Sequence, residues 1–289
     1  MDTTELLKKV RKIEIKTKGL SKQIFSGEYH SAFKGRGMSF SEVRGYQYGD
    51  DVRNIDWNVT ARTGVPFVKI FEEERELTVM LLIDVSQSAY FGTSNQLKQG
   101  FITELSAVLS FSAIQNNDKV GVIFFTDKIE KFIPPKKGRQ HILRIIRELI
   151  DFHPQNTGTD LGQALRYLNN VVKKRSICFI LSDFMSGGYE APLRIAARRH
   201  DVVGVHVYDP REEELPKVGL IRAVDAETGQ QIWLDTSSRH LRETYAGWFK
   251  ENLRYFKTTF ARSGTDVVSI RTDENYAMAL LKFFKKRGR

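Results

Sequence analysis

The chain has 289 residues, of which 41% are hydrophobic and 28% charged, so it can bury the core of one large domain or two ordinary ones. No run approaches about 20 consecutive apolar residues, which argues against a membrane-spanning helix, and the single cysteine, Cys178, excludes an internal disulfide framework and a multi-cysteine zinc site. The net charge of +10 suits nucleic acid, anionic lipid or an acidic protein as a partner, and it equally suits a solvated basic surface.

The first quarter of the chain predicts a β-rich N-terminal region, residues 1–75. Residues 4–12 place apolar side chains at helical spacing, which indicates a short amphipathic helix. Residues 13–75 mix glycine, aromatic and charged residues and predict short strands and turns. The N-terminus has early acidic residues and no apolar stretch typical of a secretory signal, so we expect a cytoplasmic protein.

From residue 76 to 289 the pattern predicts an α/β fold with a doubly wound, mostly parallel sheet. Apolar strand candidates alternate with helical segments, and strands that are apolar throughout are typical of sheets covered on both faces. The segment 211–236 interrupts this alternation and predicts a hairpin, either inserted after the fourth strand or extending an edge. The strand candidates are 77–84, 119–126, 176–183, 201–209 and 265–272, with a further hairpin at 128–135.

Oxygen-bearing side chains follow the ends of these predicted strands. Asp84, Ser86 and Ser88 form a D-x-S-x-S motif after the first strand, Thr159 precedes a helix, and Asp183 ends the third strand. Ligands of open α/β sheets bind beyond the carboxyl ends of the strands. Carboxylate and hydroxyl oxygens without histidine or thiol suit Mg²⁺ or Mn²⁺. The sequence therefore predicts a divalent cation site that retains an open position for an acidic group of a partner.

Ordinary structural roles for the same residues stay open. Asp and Ser after a strand are common in turns and at helix N-termini. Thr159 can cap the helix that follows it, and Asp183 can cap the next one, with Ser186 as its competitor. These roles are compatible with binding a cation.

The order of these motifs resembles the von Willebrand factor type A domain. The resemblance rests on D-x-S-x-S after the first strand, T-D-L-x-x-A-L at the start of a helix, and a strand-terminal aspartate. It implies that this chain has a metal-ion-dependent adhesion site, with Thr157 as the competing threonine. The implied ligands are Asp84, Ser86, Ser88, Thr159 and Asp183.

Further segments resemble the bacterial family called "domain of unknown function 58". They are GRGMSFSEVRGYQYGDDVRNIDWNVTARTG at 35–64, DP…ELP…G at 209–219 and DAETGQQIWLDT at 225–236. This resemblance implies a MoxR-type AAA+ ATPase as a partner and a role in maturation or assembly. The chain has no G-x-x-x-x-G-K-[ST] motif, so the partner would supply any ATP hydrolysis. Within the first segment we expect ion pairs between its acids and Arg44, Arg53 and Arg62.

These observations favour a metal-dependent protein-binding adaptor or assembly factor, not an enzyme. No histidine or serine stands in a recognisable hydrolase motif. Two alternatives remain: a hydrolase that uses the cation to activate water, and a basic nucleic-acid-binding protein, for which no recognised module is present. For the basic tail, 279–289, we expect Leu280, Leu281 and Phe284 to dock on the sheet, and peripheral contact with an anionic membrane is the alternative.

Overall fold

The structure, a computed structural model, describes residues 7–17, 38–73, 77–93, 97–225 and 229–287. The strands are β1 (Met38–Gly45), β2 (Phe67–Glu73), β3 (Thr78–Asp84), β4 (Lys119–Phe125), β5 (Ile129–Lys136), β6 (Ile177–Ser182), β7 (Asp201–Tyr208), β8 (Leu220–Val224), β9 (Gln231–Asp235) and β10 (Asp266–Arg271). The helices are α1 (7–17), α2 (Trp57–Thr63), α3 (Lys98–Gln115), α4 (Arg139–Ile150), α5 (Leu161–Val171), α6 (Glu190–Arg199), α7 (Pro210–Glu213), α8 (Arg239–Arg262) and α9 (Tyr276–Arg287), with 3₁₀ turns at Val52–Asn54 and Gln87–Tyr90.

A six-stranded sheet with the order β10-β7-β6-β3-β4-β5 forms the centre of the protein. All neighbouring strands are parallel except β5, which runs antiparallel to β4. The predicted doubly wound, mostly parallel sheet is therefore confirmed. The chain passes from β3 through α3 to β4 on one side, and β6 later pairs with the other side of β3, so the strand order reverses between β3 and β6.

The core lies in two layers, one on each face of this sheet. Successive residues of β3 point to opposite faces, so Leu81 packs in the layer of α1, α3, α4 and α9, whereas Leu82 packs in the layer of α5, α6 and α8. This two-sided burial explains why the central strands are apolar throughout. α3 is buried on nearly every side from Phe101 to Ala113, so this stretch has no solvent-exposed face.

The N-terminal region contains a helix that the sequence interpretation missed. β1 and β2 form an antiparallel pair, and α2 lies between them in the chain. The Asp56 side chain accepts hydrogen bonds from the backbone N–H groups of Asn58 and Val59, and Gly64 ends the helix with a φ of 73°. An aspartate N-cap and a left-handed glycine are recognised helix boundaries. These two signals could have identified α2 within the stretch assigned to strands and turns.

The expected ion pairs of this region are found for two of the three arginines. Arg44 pairs with Asp50 and Arg53 with Asp51, each at 2.8 Å. Arg62 has no acidic partner among the residues that the structure describes. The boundary at residues 75 and 76 stays a prediction, because residues 1–6, 18–37 and 74–76 lie outside the described part of the chain.

The segment 211–236 leaves the central sheet. After the single turn of α7, β8 and β9 pair antiparallel as a two-stranded sheet of their own. Residues 226–228, within the predicted hairpin, lie outside the described residues.

The C-terminal helix α9 docks on the sheet as expected. Leu280 and Phe284 are fully buried, and Leu281 packs partly buried against the same core layer. Lysine side chains of α9 remain in solvent on its outer side, at positions 282, 285 and 286. Across the described ranges, no helix combines the length and the apolar composition that crossing a membrane requires.

Candidate metal centre

The two predicted carboxylates meet where the strand order reverses. Asp84 is the last residue of β3, Asp183 directly follows β6, and these strands are parallel neighbours. Both residues are buried, Asp84 at 3% and Asp183 at 8% exposure. Ligand crevices of open α/β sheets form at such reversal points. The fold thus brings together two acids that are almost 100 residues apart in the sequence.

Asp84 is oriented by one donor on each carboxylate oxygen. The backbone N–H of Ser86 donates to Oδ1 at 3.0 Å, which makes the start of the D-x-S-x-S motif an Asx-type turn. The hydroxyl of Ser182, the last residue of β6, donates to Oδ2 at 2.6 Å. Each carboxylate oxygen has a second lone pair, so Asp84 retains acceptor capacity. Ser182 was not among the predicted site residues.

The two serines of the motif connect Asp84 to Asp183. The hydroxyl oxygens of Ser86 and Ser88 lie 3.2 Å apart, and the Ser88 hydroxyl donates to Asp183 Oδ2 at 2.7 Å. Ser86 is fully buried, whereas Ser88 is half-buried. The structure therefore unites four of the five predicted ligands in one cluster, and its Ser88 end reaches the surface.

The fifth predicted residue, Thr159, lies on a loop that touches this cluster. The backbone N–H of Gln87 donates to the Thr157 carbonyl at 3.2 Å, which places the loop beside the serine turn. Thr159 is half-buried and Thr157 is exposed. Within the described residues no hydrogen bond joins the Thr159 hydroxyl to the other four side chains. The choice of Thr159 over Thr157 stays a prediction.

The alternative capping roles of Thr159 and Asp183 are not observed. Asp160, not Thr159, caps α5, because its side chain accepts from the backbone N–H of Gln163 at 2.8 Å. Tyr189, six residues after Asp183, occupies the N-cap of α6. Helix capping therefore does not account for these two residues.

An unusual backbone conformation follows Asp183. Phe184 has a φ of 52°, in the left-handed region that a bulky residue rarely adopts. Its ring stacks on Phe256 at a centroid distance of 4.2 Å, and its N–H donates to the Ser182 hydroxyl at 3.1 Å. Strained backbone is common at functional sites and persists where packing holds it. Here aromatic packing holds the turn that directs Asp183 into the crevice.

A buried lysine, absent from the sequence prediction, completes the cluster. Lys98 is the first residue of α3, and its ammonium lies 2.9 Å from Asp183 Oδ2 and 2.6 Å from Glu212 Oε1. Glu212 belongs to α7, where its other oxygen accepts from the Asp209 backbone N–H at 2.7 Å. A lysine at the start of an apolar helix was one available signal, because charge is rarely placed there without a partner.

The surroundings separate the pKa values of the two aspartates. Burial raises the pKa of Asp84 to about 6, and the Asp183 carboxylate adds to this shift. Burial also opposes ionisation of Asp183, but the Lys98 ammonium outweighs it and lowers the pKa of Asp183. Burial likewise opposes the charge of Lys98, yet the carboxylates of Asp183 and Glu212 raise its pKa. Asp84 is therefore the acid whose ionised form would gain most from a nearby cation.

The donor set suits a hard divalent cation. Two carboxylates and two hydroxyls converge, and all of these donors are oxygen. In the described parts of the chain, no three or more His, Cys, Asp or Glu side chains are grouped as a metal site. A cation bound here would consequently depend on the hydroxyl oxygens and on water for the rest of its coordination.

Comparison with known proteins agrees with the family that the sequence resembles. The model of the family described as "Protein of unknown function DUF58" matches residues 42–254. The uncharacterized protein Rv1480 of Mycobacterium tuberculosis (strain ATCC 25618 / H37Rv) is 30% identical over 294 residues, covering 100% of this chain and 92% of that protein. Sequence similarity therefore extends beyond the short motifs.

Solved structures support the fold. A crystallised aerotolerance-related membrane protein from Bacteroides fragilis NCTC 9343 aligns with a TM-score of 0.50 and 18% identity, over 73% of this chain and 98% of that chain. At this identity the likeness concerns the fold alone, and the fold is the predicted α/β type with a mostly parallel central sheet. Proximal thread matrix protein 1 of the mussel byssus was solved with a zinc-occupied MIDAS motif. Its TM-score of 0.40 and 15% identity, over 73% of this chain and 47% of that chain, leave that metal a property of the mussel protein.

Proposed function

This chain belongs to the DUF58 family, and on that premise we propose that it is a metal-dependent protein-binding adaptor or assembly factor, not an enzyme. A divalent cation, Mg²⁺ or Mn²⁺, would offer a positive site to an Asp or Glu side chain of a partner protein. The residues that would hold it, directly or through water, are Asp84, Ser86, Ser88, Thr159 and Asp183.

The observation that carries this proposal is the hydrogen-bonded cluster at the reversal point of the sheet. Asp84, Ser86, Ser88 and Asp183 come from two separate segments and converge within hydrogen-bond distances. Lys98 already pairs with Asp183, so the residue that a bound cation would stabilise most is Asp84, which is buried beside that second carboxylate. Like charges buried together are unfavourable, and a cation between them relieves the repulsion.

The chain's own residues have separable tasks in this proposal. Ser182 and the backbone of Ser86 orient the Asp84 carboxylate. The buried floor of the crevice excludes water from the inner side, which strengthens electrostatic attraction there. Ser88 and the loop of Thr159 lie at the half-buried rim, where a partner's carboxylate can approach.

The proposed partner class is a MoxR-type AAA+ ATPase. The family resemblance suggests it, and the absence of a Walker-type motif from the sequence supports a division of labour in which the partner hydrolyses ATP. We place this action in the cytoplasm. Contact of the exposed lysines of α9 with an anionic membrane is the peripheral alternative.

A capture experiment tests the proposal. We expect tagged wild-type protein to retain the AAA+ ATPase from an extract of the source cell in Mg²⁺, and to lose it in EDTA. Asp84→Ala should lose the ATPase even in Mg²⁺, while thermal unfolding monitored by circular dichroism shows that the variant is folded. Glu251→Gln, which alters an exposed acid of α8, should behave as wild type.

Two results would count against the proposal. Retention of the same proteins in EDTA, or by Asp84→Ala, would remove the metal from the interaction. Phosphatase or nuclease activity that requires Mn²⁺ and Asp84 would favour the hydrolase alternative.

A further inference from the structure

Lys98 places a permanent positive charge next to the proposed cation ligands. The residue is 1% exposed, and its ammonium contacts Asp183 Oδ2 at 2.9 Å and Glu212 Oε1 at 2.6 Å. Burying an ammonium is costly unless carboxylates pair with it. Its position in the first turn of α3 is also unfavourable, because the N-terminal end of a helix repels cations. Asp183 and Glu212 therefore stabilise a charge whose position is otherwise unfavourable.

The Lys98 ammonium donates to an oxygen that the proposed metal site also uses. Asp183 Oδ2 accepts from both Lys98 and the Ser88 hydroxyl, the latter at 2.7 Å. The other oxygen, Oδ1, accepts from the backbone N–H of Met185 at 3.3 Å. Since Ser88 and Asp183 are both proposed ligands, a cation that they hold meets the ammonium at the same carboxylate.

The charges of the cluster can be altered in both directions by single substitutions. Three carboxylates (Asp84, Asp183 and Glu212) accompany one ammonium, so the fully ionised cluster has a net charge of −2. One divalent cation neutralises that charge. Replacing Lys98 by a neutral residue makes the cluster more negative, and replacing Glu212 by glutamine makes it less negative.

We propose that Lys98 is a built-in counter-ion that shares Asp183 with the bound cation and sets the affinity of the site for both metal and acidic ligand. The inference rests on the proposed function and deepens it. By offsetting the charge of Asp183, Lys98 weakens the attraction of the cluster for the metal. The same offset leaves the bound metal more positive toward the carboxylate of a partner. A site that binds a partner's carboxylate more strongly therefore binds its own metal more weakly.

Isothermal titration calorimetry of the protein with Mn²⁺ alone, at neutral pH and low salt, tests whether Lys98 weakens metal binding. We expect Lys98→Met to tighten Mn²⁺ binding by about tenfold or more, since a unit charge within a few ångströms of a cation acts strongly. Glu212→Gln should weaken it by a similar factor, because the ammonium then rests on Asp183 alone. Matched controls on the exposed side of α8, Lys250→Met and Glu251→Gln, should change the affinity by less than about twofold.

Acetate, a minimal carboxylate ligand, tests whether Lys98 strengthens the binding of a carboxylate to the metal. At saturating Mn²⁺, acetate that replaces metal-bound water lowers the proton relaxation rate of the solvent. We expect Lys98→Met to bind acetate more weakly than the wild type, although it binds Mn²⁺ more tightly. A lysine with a merely structural role would lower both affinities together or change neither.

The outcomes separate this inference from the function on which it rests. If wild type and Lys98→Met bind Mn²⁺ equally, and Asp84→Asn binds none, the metal site stands and the role of Lys98 is wrong. If none of these proteins binds Mn²⁺, both proposals fail. Binding by Lys98→Met alone would support the counter-ion and contradict a metal-loaded wild type. If Lys98→Met does not fold, as judged by thermal unfolding in EDTA, Glu212→Gln decides, and unchanged or tighter binding by it overturns the inference.

Discussion

Two buried aspartates at the carboxyl edge of the sheet differ in how their oxygens are used. Asp209, directly after β7, accepts four hydrogen bonds: from the N–H and hydroxyl of Thr93 at 2.8 and 2.5 Å, from the N–H of Arg211 at 2.9 Å, and from the Thr272 hydroxyl at 3.3 Å. Asp84, at the end of β3, accepts from the Ser86 N–H and the Ser182 hydroxyl, and the neighbouring Ser86 hydroxyl also lowers its pKa. When donors from the chain occupy the acceptor sites of a carboxylate, as in Asp209, the carboxylate joins segments of the fold. A carboxylate such as Asp84, which has acceptor sites left and lies beside another acid, can bind a ligand.

The pKa values of the two residues move in opposite directions. Burial opposes ionisation of Asp209, but the donors from Thr93 and Arg211 outweigh it and lower the pKa. Burial, with help from Asp183, raises the pKa of Asp84 to about 6. Ionisation of Asp209 therefore stabilises the folded protein without any metal, whereas ionisation of Asp84 destabilises it. The contrast assigns a structural role to one strand-terminal acid and a binding role to the other.

The largest expected effect comes from Asp209→Asn. An amide NH₂ in place of a carboxylate oxygen faces donors, so three segments lose their common acceptor. We expect the free energy of unfolding, measured in urea at pH 7.5 with EDTA, to fall by about 3 kcal/mol. Mn²⁺ affinity should change little in the protein that remains folded. A loss below about 1 kcal/mol would show that Asp209 does not join these segments.

Most of the fold follows from patterns that the sequence displays openly. Four of the six central strands, β3, β4, β6 and β7, are buried over nearly their whole length, and their continuous apolar runs predict them. β10, at one edge of the sheet, is only partly buried. β5 differs because it is an edge strand, and it accommodates Pro134 and Pro135. α2 was missed although its caps are visible in the sequence, because the surrounding glycine and aromatic residues suggested turns.

The candidate site was predictable only as far as local motifs reach. The D-x-S-x-S turn and the strand-terminal Asp183 are local patterns, and the fold brings them together as expected. Lys98 is different, because its burial depends on Glu212, which lies 114 residues away in the sequence. From sequence alone Asp209 and Asp84 look alike, since each stands at the carboxyl end of an apolar strand. Only the donors supplied by distant segments distinguish a filled carboxylate from an open one.

In metal-free protein, Asp84→Asn should raise the free energy of unfolding, whereas Asp209→Asn should lower it. The folded-state pKa of about 6 lies above the ordinary value of 3.8, so the folded protein holds the proton more tightly than the unfolded chain. Ionisation of Asp84 therefore lowers the free energy of unfolding as the pH rises from about 4 through 6. The raised pKa alone corresponds to about 3 kcal/mol, and an amide NH₂ that faces the donor of Ser86 or Ser182 offsets about 1 kcal/mol of it. We therefore expect Asp84→Asn to be about 2 kcal/mol more stable than wild type at pH 7.5 in EDTA.

The pH dependence and the metal provide the controls for this variant. The advantage of Asp84→Asn should shrink as the pH falls and vanish below about pH 4, where wild-type Asp84 is protonated. Saturating Mg²⁺ should stabilise wild type and leave Asp84→Asn unchanged. A variant that is less stable than wild type at pH 7.5 in EDTA would place Asp84 in the same class as Asp209.

The smallest expected effect concerns Glu130, a filled carboxylate that positions the threonine loop. This residue of β5 accepts from the Thr126 hydroxyl at 2.9 Å, from the Gln155 N–H at 3.2 Å, and from the backbone and side chain of Asn156 at 3.1 and 2.8 Å. Glu130→Gln should cost about 1 kcal/mol of stability, because one acceptor becomes a donor facing donors. It should also speed hydrogen exchange at residues 155–156.

The effect of Glu130→Gln on the metal separates loop position from ligand charge. Thr159 lies three residues beyond Asn156, so a loosened loop should weaken Mn²⁺ binding by about threefold, far less than Asp84→Asn, which removes a ligand charge. Glu251→Gln, on exposed α8, should alter neither exchange nor affinity. If exchange at 155–156 accelerates while Mn²⁺ affinity is unchanged, neither threonine of this loop contributes to the site. The cation would then depend on Asp84, Ser86, Ser88 and Asp183 alone.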